Sequence, residues 1–195
     1  MSVLRLGQID LQEKKYDEAL KDLTSLDVQK QLKGPMLQSF DFYTAQAFLG
    51  KADTVSALDL FNKAAQVEGA AEYTPEAFKE IGKIQTQNGQ YKDAMDAYTK
   101  SMSLAGDDLL KAELTYRMAE DQFLLNQYTD AIKGFEDTIA KYPNSDFAQD
   151  ALVNMLLAYF NLGQYDQLLS EYQKNAKQIK DDDASAFPLF DVQIH

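Results

Sequence analysis

The sequence predicts an all-α chain, a right-handed superhelix of about five helical hairpins followed by part of a further helix. Three observations predict it. A small residue recurs at near-constant spacing, a large apolar residue follows each recurrence by four positions, and a short Gly- or Asn-containing break precedes most of them.

The pairs Tyr16…Ala19, Tyr91…Ala94, Tyr128…Ala131 and Tyr165…Leu168 share one spacing, with Thr54…Ala57 a weaker member. The anchors at 19, 57, 94, 131 and 168 are separated by 38, 37, 37 and 37 residues. A fixed period of this size marks a repeat architecture. Four residues beyond each anchor stands Leu23, Phe61, Tyr98, Phe135 or Tyr172. About twelve residues before it a compact position adjoins an apolar one: Leu6-Gly7, Thr44-Ala45, Ile81-Gly82, Met118-Ala119, Met155-Leu156. A small residue lets two helices approach, and the large one fills the neighbour's groove.

Between the two halves lies a break: Glu13-Lys14-Lys15, Gly50-Lys51-Ala52-Asp53, Asn88-Gly89-Gln90, Asn126-Gln127, Gly163-Gln164. Gly and Asn adopt the left-handed conformation that ends a helix. Apolar residues at i, i+3, i+4 and i+7 spacing, as in Ala112, Tyr116, Ala119 and Phe123, give the helical period. Asp17, Asp53, Asp93, Asp130 and Asp166 open the second helices, where they complement the positive helix end. Gly34-Pro35, Thr74-Pro75 and Tyr142-Pro143-Asn144-Ser145 separate the units. The expected units are about 1–34, 35–72, 73–108, 109–145 and 146–183, with 184–195 beginning a sixth unit or sealing the stack.

These residues resemble tetratricopeptide repeats. The family pattern is matched by Leu6-Gly7, Tyr16 and Ala19 in the first unit and by Ala45, Phe48, Ala57, Phe61 and Ala64 in the second. Phe78, Gly82, Gly89, Tyr91, Ala94 and Tyr98 match in the third, and Ala119, Tyr128, Ala131, Phe135 and Pro143 in the fourth. Tyr159, Gly163, Tyr165 and Tyr172 match in the fifth. Departures are the absence of Trp, Leu168 in place of the usual Ala, and a period longer than the family's usual value of about 34. The longer period is similar to bacterial cell-envelope members, which implies a periplasmic or envelope location over a cytoplasmic one. Composition leaves the compartment open.

The resemblance implies a protein–protein interaction scaffold, not an enzyme, that receives a peptide or helix on the concave face lined by first helices. The family register places Phe42, Gln46, Lys79, Lys83, Tyr116, Glu120, Phe123, Leu157 and Phe160 there, with Leu4, Gln8, Leu11, Leu49, Thr86 and Val153 beside them. Aromatic anchors in a groove supply binding hot spots of about 2 kcal/mol or more. The competing reading is that such aromatics pack against the next hairpin. Lys79 and Lys83, one turn apart, are placed to meet a carboxylate, or form a solvated face. The carboxylate clamp of chaperone-binding members is matched only by Lys79 and loosely by Arg117, and its Asn positions are absent.

Composition narrows the chemistry. The chain has 195 residues, 45% hydrophobic and 26% charged, enough to build a core. There is no Cys, and the sole His is His195, so thiol chemistry is excluded and a His-based triad or metal site is not expected. No cofactor or metal is predicted. Asp181-Asp182-Asp183 lacks the spaced ligands of a calcium loop. Neighbouring carboxylates such as Glu136 and Asp137 point to different sides of a helix. The net charge of −12 repels phosphate backbones and anionic lipid, so nucleic acid and membrane are not the expected partners. The apolar Phe187, Leu189, Phe190, Val192 and Ile194 are not the polar cap a repeat array needs. Three readings are open: a piece of a longer repeat protein or a regulatory segment of an enzyme, a sealing helix, or self-association through that tail.

Overall fold

The computed structural model describes residues 3–24, 32–69 and 71–175. Among the described residues there are ten helices and no strand. The chain divides into two compact units, Met1–Ala105 and Gly106–His195.

The first unit contains α1 (Val3–Gln12), α2 (Tyr16–Leu23), α3 (Gly34–Gly50), α4 (Thr54–Ala65), α5 (Thr74–Gln87) and α6 (Tyr91–Leu104). They pair as hairpins α1/α2, α3/α4 and α5/α6, and each hairpin packs on the next through α2/α3 and α4/α5. The second unit contains α7 (Asp108–Leu124), α8 (Tyr128–Lys141), α9 (Asp146–Asn161) and α10 (Tyr165–Asn175). Here α7 pairs with α8 and α9 with α10, while α9 packs on both α8 and α7.

Each hairpin turns in the same way. One left-handed residue follows the first helix: Lys14 (φ 58), Ala52 (φ 61), Gly89 (φ 74), Asn126 (φ 59) and Gly163 (φ 70). The next residue's N–H returns to a carbonyl five positions back: Lys15 to Asp10 (2.7 Å), Asp53 to Phe48 (2.9 Å), Gln90 to Gln85 (2.8 Å), Gln127 to Gln122 (2.9 Å) and Gln164 to Tyr159 (3.0 Å). This is the Schellman closure, which satisfies carbonyls left open at a helix end. In the second hairpin the expected breaker, Gly50, does not make the turn; it ends α3, and Ala52 takes the left-handed position. Gly50 serves a close contact instead. The ring of Tyr16 lies against Gly50 and leaves no room there for a β-carbon.

The second helices start as their acidic residues suggest. Asp17, Asp93, Asp130 and Asp166 lie in first turns. Asp53 caps α4, its Oδ1 accepting from the Ser56 N–H at 3.1 Å and its Oδ2 from the Ser56 hydroxyl at 2.7 Å. Pro35 and Pro75 occupy the first turns of α3 and α5, where a missing N–H costs nothing.

The cores follow the period. Ala19, Ala57, Ala94 and Ala131 are fully buried, as are Leu23, Phe61, Tyr98 and Phe135 four residues on. Leu23 and Tyr98 pack on small positions of their partner helices; added β-carbons at Gly7 and Gly82 would meet them. Burying one such large side chain contributes about 1.5–3 kcal/mol. A polar tie is added in the first unit. The buried Gln38 donates to the Ala64 carbonyl (3.0 Å) and Thr74 Oγ1 (2.9 Å), and accepts from the Tyr73 N–H (3.3 Å), joining α3, α4 and α5. The tail from Phe187 to Ile194 and Asp181-Asp182-Asp183 lie outside the described residues.

Candidate functional site

First helices α1 and α3 pack side by side in the first unit, and a cleft opens between them. Its lining is Gln8, Leu11 and Gln12 from α1 with Tyr43 and Gln46 from α3. Gln8 and Gln12 are one turn apart on α1, as are Tyr43 and Gln46 on α3, so helical period alone aims all four at one space. Tyr43 is held by its neighbours. Its hydroxyl is 3.1 Å from that of Tyr73, and their rings meet edge-on at 5.4 Å. The Tyr73 phenol is raised above its ordinary value, first by burial and then by its bond to Tyr43. The side-chain amides of Gln8, Gln12 and Gln46 have no hydrogen bond to another described residue.

Phe42 is not part of this open face. It is 5% exposed, stacked on Tyr73 at 4.9 Å and edge-on to Phe61 at 5.6 Å. The aromatic cluster that closes the hairpin core has absorbed it. Tyr116 shares that fate in the second unit: it is 6% exposed and lies against Phe135 (6.0 Å) and Phe147 (5.7 Å). Its hydroxyl accepts from Asn154 Nδ2 at 2.9 Å and donates to Glu120 Oε1 at 3.4 Å, and the Arg117 guanidinium lies over its ring at 5.6 Å. Burial, then the Glu120 and Asp150 carboxylates, raise the Tyr116 phenol above its ordinary value. These two aromatics are core groups whose burial removes them from the surface a partner reaches.

Lys79 and Lys83 flank Glu80, with Nζ–O separations of 3.7 and 3.0 Å. The positive step expected at this pair is thus partly neutralised within one turn of α5. Glu120 is similarly engaged, accepting from Arg117 Nη1 at 3.0 Å, while Arg117 Nε lies 3.7 Å from Glu113. Phe123 is half-buried and meets Tyr128 edge-on at 5.3 Å. Leu157 is half-buried against the Leu156–Leu168 cluster. Phe160 is 38% exposed and meets Tyr165 edge-on at 5.8 Å. Of the residues the sequence placed on the first-helix face, Gln8, Leu11 and Gln46 line the cleft of the first unit. Gln12 and Tyr43 belong to that lining and were not anticipated; one-turn spacing from Gln8 and Gln46 is the signal that identifies them.

Among the described residues no group of three or more His, Cys, Asp or Glu is placed to hold a metal, and no helix is long and apolar enough to cross a membrane. Consecutive helix–turn–helix hairpins of near-constant period, packed on their sequence neighbours within each unit, define the class: an α-helical hairpin-repeat protein. More particularly, residues 114–145 match the tetratricopeptide repeat family, and the chain has the fold of tetratricopeptide repeat proteins.

Solved structures share that fold. A putative kinesin light chain of Podosopora anserina with nearly identical TPR-like repeats superposes with a TM-score of 0.71 at 15% identity, over 91% of this chain and 94% of that one. MamA superposes with a TM-score of 0.72 at 18% identity, over 88% of this chain and 92% of that one. An AMB-1 MamA structure gives 0.69 at 13% identity, over 90% and 88%. No curated protein matches the chain by sequence.

Proposed function

We propose that the chain is a non-enzymatic interaction scaffold that receives a segment of a partner protein on its first helices, at the cleft between α1 and α3. The observation that carries this reading is the cleft itself: an open space between consecutive first helices, lined by amides that bond to no other described residue. Three primary amides, a phenol and a leucine supply no carboxylate, imidazole or thiol to act as nucleophile or general base. The tetratricopeptide resemblance supports the same class of role, and the net charge of −12 disfavours nucleic acid as the partner.

The test is selection of short peptides from a random displayed library against the intact chain. Backbone NMR shifts or hydrogen exchange then map where they bind. Perturbation confined to residues 8–12 and 43–46, lost in Leu11→Arg, is the expected result. Peptides that bind elsewhere, or no binder at all, overturn the reading.

Self-association is the second reading. The last described hairpin leaves Phe160, Leu162 and Tyr165 at 38, 37 and 51% exposure. The matching Phe123 and Tyr128, one period earlier, are half-buried. A concentration-independent monomer mass in solution excludes it.

A further inference from the structure

Asp41 stands at a position that two other hairpins fill with a large apolar side chain. At steps of 37 residues the same position holds Phe78 in α5, Thr115 in α7 and Leu152 in α9. Phe78 packs against the core of the first unit, with Lys100 Nζ over its ring at 5.5 Å, and Leu152 is buried. The lysine repeats too: Lys63 precedes Lys100 by one period, as Asp59 precedes Asp96. With no ring at residue 41, Lys63 Nζ meets Asp59 at 2.6 Å, a pair that Lys100 and Asp96 do not form. What is left on the second hairpin is an open cleft of about 580 Å³, lined by Lys33, Leu37 and Asp41 on the α3 side and by Lys63, Val67 and Glu68 on the α4 side. It shares no residue with the cleft between α1 and α3.

The half-buried Asp41 carboxyl forms no hydrogen bond or ion pair with another described residue. An ionised carboxylate only accepts, so a group that satisfies it must donate. The charges of the lining balance, Lys33 and Lys63 against Asp41 and Glu68. A cation would meet two ammonium groups and an anion two carboxylates, which favours an uncharged guest. Leu37, Val67 and the lysine stems supply apolar walls. We infer that this cleft binds a small uncharged aromatic molecule of the phenol or indole type, its ring in the place that Phe78 fills one period on and its O–H or N–H donating to the Asp41 carboxylate. Lys63 then stands to the bound ring as Lys100 stands to Phe78, a cation against a π-face. The volume falls within the range of small-molecule sites, about 300–1,000 Å³.

The experiment titrates the intact chain with indole and with 1-methylindole, which keeps the ring and lacks the donor, and follows backbone NMR shifts. It is run near pH ~8, where the Asp41 carboxyl, lifted by burial to about 6, is ionised. Indole is expected to shift residues 33–41 and 63–68 with a dissociation constant on the order of 1 mM. 1-Methylindole should bind there roughly three- to tenfold more weakly. Asp41→Phe places the side chain of residue 78 in the cleft, and both probes should then lose it while the melting temperature does not fall. Asp41→Asn keeps the shape and drops the charge, so it should weaken indole roughly threefold or more and leave 1-methylindole unchanged. The inference is overturned if indole leaves residues 33–41 and 63–68 unshifted, if the two probes bind equally, or if Asp41→Asn weakens neither. Benzylamine or benzoate binding there more tightly than indole overturns the uncharged guest. Tighter binding of N-acetyl-tryptophanamide than of indole overturns the small molecule in favour of a partner's side chain.

Discussion

The Cα of Gly82 in α5 lies against the ring of Tyr98 in α6, so closely that a β-carbon at residue 82 would overlap the ring. The phenol has nowhere to move. It is fully buried, and its hydroxyl is 3.2 Å from Thr86 Oγ1. The first hairpin makes the same contact with Gly7 on Leu23, and it sets how closely a hairpin closes.

Gly82→Ala therefore tests closure directly. Alanine improves helix propensity by about 1 kcal/mol, whereas overpacking a rigid core costs about 1–3 kcal/mol. Overpacking outweighs the gain in propensity, and a net loss of about 1 kcal/mol is expected. In a Tyr98→Leu background the penalty should shrink by about 1 kcal/mol, a coupling that a double-mutant cycle in urea reads out.

The anchors make a second test. Ala94 and Ala131 are fully buried where two helices touch. Ala94→Trp or Ala131→Trp should destabilise by roughly 1–3 kcal/mol or more, seen as an earlier thermal or urea midpoint. Wild-type midpoints in both would contradict the register.

Turn chemistry gives a prediction of opposite sign. Lys14 and Ala52 hold left-handed φ values of 58 and 61 where the third and fifth turns use Gly89 and Gly163. A side chain in that conformation costs about 1–2 kcal/mol, offset in part by the greater freedom of glycine in the unfolded chain. Lys14→Gly and Ala52→Gly should each stabilise by about 0.5–1 kcal/mol. Gly89→Ala and Gly163→Ala should each lose about 1 kcal/mol. Denaturant midpoints with unchanged slopes are the measurement.

Asp41 carries the pH dependence. Burial is the main cause that lifts its carboxyl from 3.8 to about 6; Lys63 opposes the rise and Asp59 adds to it. Lys63 gives limited relief because its Nζ is 2.6 Å from Asp59 Oδ2. Between the unfolded value of 3.8 and about 6 the folded chain holds a proton that the unfolded chain has lost. Stability contributed by this group therefore falls as pH rises through that window and is level above it. Asp41→Asn should gain on the order of 1 kcal/mol near neutral pH, after allowance for solvent screening of a half-buried group. The gain should vanish near pH ~3, below the unfolded value, where the carboxyl is protonated in the folded and the unfolded chain alike. Urea midpoints of the two proteins at both pH values check it.

Much of this was legible in the sequence because helical packing is local. Positions 19, 57, 94 and 131 had to be small, since partner helices in a hairpin are joined by a short turn and must touch near it. The turn's left-handed residue falls five before each anchor, yet the sequence pointed to Gly50 for the second turn. A glycine serves a tight contact as readily as a turn, and only the position of the Tyr16 ring separates the two.

The candidate site was less legible. Aromatic residues at first-helix positions read equally as anchors or as core, and Phe42 and Tyr116 are core because Tyr73 and Phe147 close over them. Lys79 and Lys83 read as a simple cationic pair until the side chain of Glu80 is placed between them.

By itself, then, the sequence determined the helices, their period, the hairpin pairing and the small-on-large contacts. Each depends on residues close together along the chain, where spacing fixes geometry. The tertiary structure alone decided which first-helix side chains are enclosed, which charges cancel, and that the amides of Gln8, Gln12 and Gln46 bond to no other described residue. Those outcomes depend on rotamers and on neighbours 30 to 38 residues away, such as Tyr73 beside Tyr43 and Asn154 beside Tyr116. A repeat period does not encode them.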